Sequence, residues 1–211
     1  LQVLLGGTPK MQRSFSRSTP DLTALNLDKV DLAEAVKDVL RHPTVASKSF
    51  LISIGDRSIT GMVVRDQYVG RYQVPVADCA VTASALLPVD GKPMTGEAMS
   101  MGERTPVALI NPAASARLAV AEAITNIAGA NIAKLSDITL SANWMAACGE
   151  DKEDQALFDA VYAVGEALCP ALGIAIPVGK DSLSMRANWS DEQANKSVGS
   201  PPWLIITALH H

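Results

Sequence analysis

Apolar positions recur with helical spacing in several stretches of this chain. A helix is expected from Asp31, with Leu32, Ala35, Val36, Val39 and Leu40 on one face, stopped by His42-Pro43. Pro43 is then placed to open a short helix through Ser47, Lys48 and Phe50. A longer helix is expected over Pro112 to Ala130. At about 100° per residue, Val120, Ala121, Ile124, Ile127 and Ala128 share one face, the expected core side. Ser115, Ala119, Glu122 and Asn126 share the opposite face. That face carries small residues around one carboxylate and one amide, not the charged mixture of a solvent face, so something is expected to cover it. Arg117 falls on the apolar side of this wheel without an explanation. A further amphipathic helix runs from Asp154 to Ala171, with Leu157, Ala160, Val161, Val164, Leu168 and Leu172 inward and Gly173 as its cap.

Between these stretches the pattern is that of strands. Residues 59–82 are β-rich, with Met-Val-Val at 62–64 and Val-Pro-Val-Ala at 74–77. Residues 83–93, with Pro88, Asp90, Gly91 and Pro93, read as a loop. Gly96 to Pro106 shows no clear period, and Met99 and Met101 suit core filling or a ligand loop equally. Ile138 to Trp144 is an expected strand, Ile174 to Val178 a short buried one ending in Gly-Lys-Asp-Ser, and Leu204 to Leu209 the last. Residues 187–200 are polar and expected to form a mobile loop, and residues 1–29 a linker. Strands and long helices alternate loosely, which argues a mixed α/β or α+β domain.

Bulk composition narrows the function. The 211 residues make one large domain or one and a half small ones. Charged residues are 19%, below the usual quarter, so much of the surface is not ordinary charged surface. A net charge of -4 and 4% aromatic residues leave no basis for a nucleic-acid partner. No apolar run approaches the roughly 20 residues of a membrane helix, and no signal peptide is visible. His210 and His211 read as the remnant of an expression tag. Together with the missing initiator Met, they suggest a piece of a longer protein. Cys79, Cys148 and Cys169 form no metal or redox spacing and read as reduced thiols of a cytoplasmic protein. With His42 the one histidine left, a Ser-His-Asp triad or a histidine-rich metal site has almost nothing to be built from.

Four places could carry chemistry. Gly55 to Gly61 holds Asp56 and Arg57, whose simplest reading is a turn closed by a local ion pair. Asp78 stands in the run Val-Pro-Val-Ala-Asp-Cys-Ala-Val, where a carboxylate is expensive to bury unless paired or bound to a cation. Glu122 and Asn126, four apart on one helical face, can place two oxygens on one hard cation such as Mg²⁺. Gly179-Lys180-Asp181-Ser182 follows a strand, as phosphate loops do, but lacks the Walker spacing. Hard oxygen ligands with lysines suit a Mg²⁺–phosphate ligand, not nucleophilic or zinc hydrolysis.

On those residues the chain resembles an internal stretch of the large formylglycinamide ribonucleotide amidotransferases (phosphoribosylformylglycinamidine synthases) of purine biosynthesis. The strings HPTVASKSF (42–50), GDRSITG (55–61), QVPVADCAV (73–81), GEAMSMGER (96–104), ARLAVAEAITNI (116–127), SANWM (141–145) and GKDSLSM (179–185) carry the resemblance, in the family's order. It implies an α+β fold like the N-terminal domain of aminoimidazole ribonucleotide synthetase: a mixed sheet covered by helices on one face, with sheets pairing between two such domains. It implies residues 1–41 as a connecting segment and 42–211 as the N-terminal subdomain of the second synthetase half. The implied parent is an ATP-dependent carbon–nitrogen ligase with glutamine as amido donor, whose sister synthetase subdomain and glutaminase domain would be partners on the same chain. By the same resemblance Asp78, Glu122 and Asn126 would ligate Mg²⁺ at a bound ATP or ADP, with Lys48 and Ala77 close by, and Arg57, Lys180, Asp181 and Ser182 as a further substrate or phosphate region. Residues 71–72 are Arg-Tyr where the family usually has Pro-Trp, and the 83–93 loop is longer than usual. The isolated chain is expected to be inactive, and its open sheet is expected to invite a homodimer.

Overall fold

The structure is a computed structural model and describes residues 6, 12–55, 57–58 and 61–211, with the backbone alone at Asp151. Asp56, Ile59 and Thr60 of the Gly55 to Gly61 string lie outside the described residues. The chain divides into two compact units, a larger one of residues 1–19 and 99–210 and a smaller one of residues 20–98 with 211.

In chain order the elements are helices α1 (Leu32–Arg41) and α2 (Ser49–Ile54), then strands β1 (Val63–Arg65), β2 (Ala80–Ala83) and β3 (Gly96–Glu103). Helices α3 (Thr105–Ala108) and α4 (Pro112–Ile127) lead to β4 (Thr139–Met145). A continuous helical stretch follows: α5 (Asp151–Tyr162), a π-helical segment (Ala163–Leu168) and α6 (Cys169–Leu172). Strands β5 (Ala175–Ser182), β6 (Arg186–Ser190), β7 (Asn195–Gly199) and β8 (Trp203–His210) complete the chain.

The larger unit is a mixed sheet with helices on one face. Its strands run in the order β3–β8–β4–β5. β4 is antiparallel to β8, with Asn143 opposite Ile205, and parallel to β5, with Asn143 opposite Lys180. A parallel pair needs a long crossover, and the stretch from α5 to α6 supplies it. Period-two burial fixes the covered face: Leu140 and Ala142 of β4 and Leu204, Ile206 and Ala208 of β8 are buried. Against them pack Ala119, Val120, Ala123 and Ile127 of α4, and Ala156 and Ala160 of α5 lie in the same core. So many alanines let the helices lie close to the sheet.

The smaller unit is more open. α1 forms where its periodicity places it, capped by the Asp31 carboxylate accepting the Glu34 N–H at 3.0 Å. None of its residues is buried, so its apolar face is on the surface. The short helix after Pro43 begins only at Ser49. β1 and β2 pair antiparallel, Val63 opposite Thr82. The 83–93 loop holds Asp90 and Gly91 at positive φ (53° and 66°), so its turn is left-handed.

Several expectations change. The buried face of α4 is Ser115, Ala116, Ala119, Val120, Ala123 and Ile127. The small-residue face is thus covered, as anticipated, whereas Ala121 and Ile124 are not in the core. They line an open apolar depression of about 600 Å³ with Leu118, Leu135, Leu168 and Leu172, and Arg117 stands at it too. Arg117 points to the apolar side because that side is surface. The inner face of the next helix is also rotated, to Ala156, Ala160, Ala163, Val164 and Cys169. The wider π turn shifts the phase of everything after it. β3 gives Gly96 to Glu103 the period the sequence hid: Ala98, Ser100 and Gly102 face in, and Met99 and Met101 face out, neither as core nor as a loop. Residues 186–199 form the hairpin β6–β7 instead of a mobile loop, with Ala187 paired to Val198 and Trp189 to Lys196. Its turn is closed by Asp191, whose carboxylate accepts the Gln193 and Ala194 N–H groups and pairs with Lys196, which holds its pKa below the usual range. His210 is the last residue of β8.

Candidate functional site

The larger unit brings Glu122 and Asn126 together where α4 crosses the end of β3. The close approach depends on Gly102: a Cβ there would stand 2.0 Å from the Ala119 carbonyl oxygen and 2.6 Å from the Ala123 nitrogen. Ser100 donates its hydroxyl to the Ala123 carbonyl at 2.6 Å, and Ser115 donates to the Arg104 carbonyl at 2.6 Å. Small residues on both elements therefore do two jobs, admitting the backbone and bonding it.

Glu122 and Asn126 serve the same contact. One Glu122 oxygen accepts the Glu103 N–H at 2.8 Å, and the other lies 2.9 Å from the Arg104 guanidinium. Asn126 donates its amide to the Met101 carbonyl at 2.9 Å, which leaves Oδ1 as the acceptor for a ligand. Around the carboxylate is a depression of about 280 Å³ lined by Met101, Gly102, Glu103, Arg104, Glu122 and Ile205. Thr105 Oγ1, two residues after Glu103, is buried without a hydrogen-bond partner. Glu103 and Arg104 lie at the end of the string GEAMSMGER and are not among the residues expected from the sequence to bind a ligand. The signal available was a charged pair closing a run of small and apolar residues.

The remaining predicted residues are elsewhere. Lys180 and Ser182 sit on β5, facing away from the helices by register with Asn143 and Met145, and Lys180 donates to Ser182 Oγ at 2.9 Å. Gly179 to Ser182 is therefore strand and not a loop after a strand. Its backbone faces β4, with Gly179 so close that a Cβ would be 2.5 Å from the Ala142 oxygen. A backbone phosphate cradle is not formed there. Asp181 is exposed on the same strand.

Lys48, Arg57, Ala77 and Asp78 belong to the smaller unit. Lys48 is half-buried before α2 and donates to the Ala46 carbonyl. Arg57 is paired with Asp66 at 2.9 Å, bonded to Gln73 and stacked on Tyr68 at 5.5 Å. The partner of Arg57 on view is thus Asp66, and the guanidinium is committed to its own loop. Ala77 donates its N–H to the Gln67 carbonyl at 2.8 Å. Asp78 is exposed, as are Val74 and Val76, and in that run only Cys79 is buried. The argument from a costly buried carboxylate therefore does not apply: the apolar run is surface, and Asp78 remains hydrated.

Among the described residues, no three His, Cys, Asp or Glu side chains lie together as a metal cage. The donors at α4 still fit Mg²⁺. They are a carboxylate and an amide oxygen, and this cation takes one or two such ligands together with phosphate oxygens. The Arg104–Glu122 pair is part-exposed, so opening it costs only about 1 kcal/mol.

A family model described as the FGAR-AT PurM N-like domain matches residues 47–211. The chain belongs to this family. Among solved structures, PurLQS from Thermotoga maritima superposes with a TM-score of 0.53 at 16% identity, over 96% of this chain and 26% of that one. T. maritima PurL complexed with AMPPCP gives 0.45 at 16% identity, over 95% of this chain and 27% of that one. The first likeness supports the fold: an FGAR-AT PurM N-like domain with a mixed sheet and helices. This chain spans about a quarter of the length of these structures.

Proposed function

We propose that this chain is the N-terminal subdomain of the second synthetase half of a phosphoribosylformylglycinamidine synthase and supplies a nucleotide–Mg²⁺ half-site. The parent reaction would convert formylglycinamide ribonucleotide, ATP and glutamine to formylglycinamidine ribonucleotide, ADP, phosphate and glutamate. The observation that carries the reading is the depression at the end of β3, where Glu122 presents its carboxylate beside Arg104, with Asn126 one turn further along α4 and bonded to the Met101 carbonyl. Family membership and the ordered strings of the sequence stand behind it.

In this reading Glu122 and Asn126 hold Mg²⁺ in the larger unit, while the roles of Asp78 as a Mg²⁺ ligand and of Lys48 and Ala77 as nucleotide neighbours rest on the resemblance of their strings alone. Bound there, the ion would neutralise phosphate charge. The work of the chain's own residues is positioning. Glu122 is fixed by the Glu103 N–H, and Asn126 by the Met101 carbonyl, so neither needs to reorganise. Glu122 would hold the ion through its carboxylate, and Arg104, its partner at 2.9 Å, would then be available to face phosphate oxygens. Lys180 and Ser182 remain candidates for a second phosphate or substrate contact through their side chains.

A second reading has a specific observation in its favour. Glu122 and Asn126 already tie α4 to β3, so a nucleotide bound there would staple the fold, as an auxiliary ADP in a non-catalytic scaffold would. The sheet face opposite the helices supports pairing with a sister subdomain, because it presents Met99, Met101, Ile205 and Val178 to the surface or near it.

Titrating the chain with ADP and Mg²⁺ by calorimetry and by NMR tests the half-site. Weak, Mg²⁺-dependent binding with shifts centred on Arg104, Glu122 and Asn126 is expected. Binding that ignores Mg²⁺, or shifts confined elsewhere, would refute it. In the full-length enzyme, Asp78→Asn separates the readings: a lower Tm with turnover intact indicates the scaffold, and a lower rate with Tm intact the catalytic role.

A further inference from the structure

The outer face of α5 is occupied by the chain's own residues 13–18, a segment without helix or strand. Arg17 places two guanidinium nitrogens on the Asp159 carboxylate, at 3.0 and 2.8 Å. Gln155 holds the backbone of Ser18 from both sides, accepting its N–H at 2.9 Å and donating to its carbonyl at 3.2 Å. Phe15 packs on Phe158 with ring centroids 6.0 Å apart, and Phe158 on Tyr162 at 6.2 Å. Arg13 reaches Asp154 at 3.5 Å. Every second residue, Arg13, Phe15 and Arg17, makes a side-chain contact to the helix, the period of an extended peptide. The partners on α5 are Asp154, Gln155, Phe158 and Asp159, two adjacent pairs one helical turn apart and so on one side of the helix.

This is a small recognition surface in its own right. It offers a forked carboxylate contact for Arg, an aromatic shelf, and an amide that reads backbone. It is also a shallow one. Phe158 stays 52% exposed with the segment in place, and residues 16–32 are all exposed. No core side chain has to move for the segment to leave.

We propose that this face of α5 is a docking site for a short peptide of the pattern Arg-x-aromatic-x-Arg, and that residues 13–18 are its resident, releasable clasp. Clasped, the N-terminal region is held to the larger unit. Released, it is free up to α1, and another segment of the same pattern can take its place. The inference stands apart from the nucleotide reading, since none of its residues belongs to that site.

Amide hydrogen exchange of residues 12–19 in the full chain tests it, with α4 amides as the folding control. In the wild type the clasp exchanges more slowly than a synthetic peptide of residues 12–19. D159R speeds its exchange roughly fivefold or more, and R17D/D159R restores most of the protection. Millimolar synthetic peptide speeds clasp exchange in the wild type but not in D159R. If α4 protection is lost in D159R, Q155A replaces it, with faster clasp exchange expected. A wild-type clasp that exchanges like the free peptide, a docking-face variant that changes nothing, or an added peptide without effect would each overturn the proposal.

Discussion

The missing side chain of Gly102 and the backbone of Ala119 fit each other so closely that the space for a Cβ is already filled by a carbonyl oxygen, 2.0 Å away. The position of the candidate site depends on this contact, because it brings Glu122 onto the Glu103 N–H and Asn126 onto the Met101 carbonyl.

Gly102→Ala should therefore push α4 off β3. A loss of about 3 kcal/mol is expected, read as a lower urea midpoint. Nucleotide binding should fall with it, although no ligand-contacting group is altered. An unchanged midpoint would mean that the two elements separate without cost.

Glu122→Gln keeps an acceptor for the Glu103 N–H but removes the negative charge facing Arg104. Stability should change by less than about 1 kcal/mol, because the lost ion pair is part-exposed. Mg²⁺-dependent ADP binding should fall about tenfold or more. Equal binding by variant and wild type, measured by NMR titration, would leave Glu122 with its structural role alone.

Glu153 has a buried Oε2 without a partner, and burial raises its pKa above 4.5, with Glu150 adding to the rise and Lys152 opposing it. The folded state holds this proton more tightly than the unfolded one. The carboxylate is thus a penalty in full above the folded pKa, and the penalty disappears as pH falls below 4.5. Glu153→Gln should raise Tm at pH 7.5 and leave it nearly unchanged at pH 4. The reverse order in a calorimetric pH series would contradict the assignment.

Met101 is 55% exposed on the sheet face opposite the helices. If that face pairs with another sheet, the isolated chain should self-associate at high concentration, and Met101→Lys should keep it monomeric without lowering Tm. Sedimentation velocity on both proteins decides this, and a monomeric wild type would remove the support for sheet pairing.

Periodicity located most elements but not always their faces. The α4 wheel placed Val120 and Ile127 correctly inside, yet took Ala121 and Ile124 for core, because it judged faces by hydrophobicity when close approach selected alanine, serine and glycine instead. The strand character of Gly96–Glu103 was hidden for the same reason, since Ala98, Ser100 and Gly102 are inward positions with too little apolar bulk to register. The π segment before Pro170 has no counterpart in a wheel of fixed pitch. At the site, the spacing of Glu122 and Asn126 was legible. Their anchoring to β3 was not, because it depends on a contact between elements about twenty residues apart. Asp78 shows the opposite failure, an apolar neighbourhood in sequence that is surface in space.

The clasp carries a consequence for synthesis on the ribosome. Arg17 and Asp159 are 142 residues apart. At about 5–20 residues per second, Arg17 is made roughly 7–30 s before its partner exists. During that interval residues 13–18 have no helix to rest on, while the whole smaller unit is translated between the two halves of the larger one. The larger unit is therefore completed late, when α5 is made and meets a segment synthesised well before it, and a partner with a helix face like that of α5 would meet that segment first.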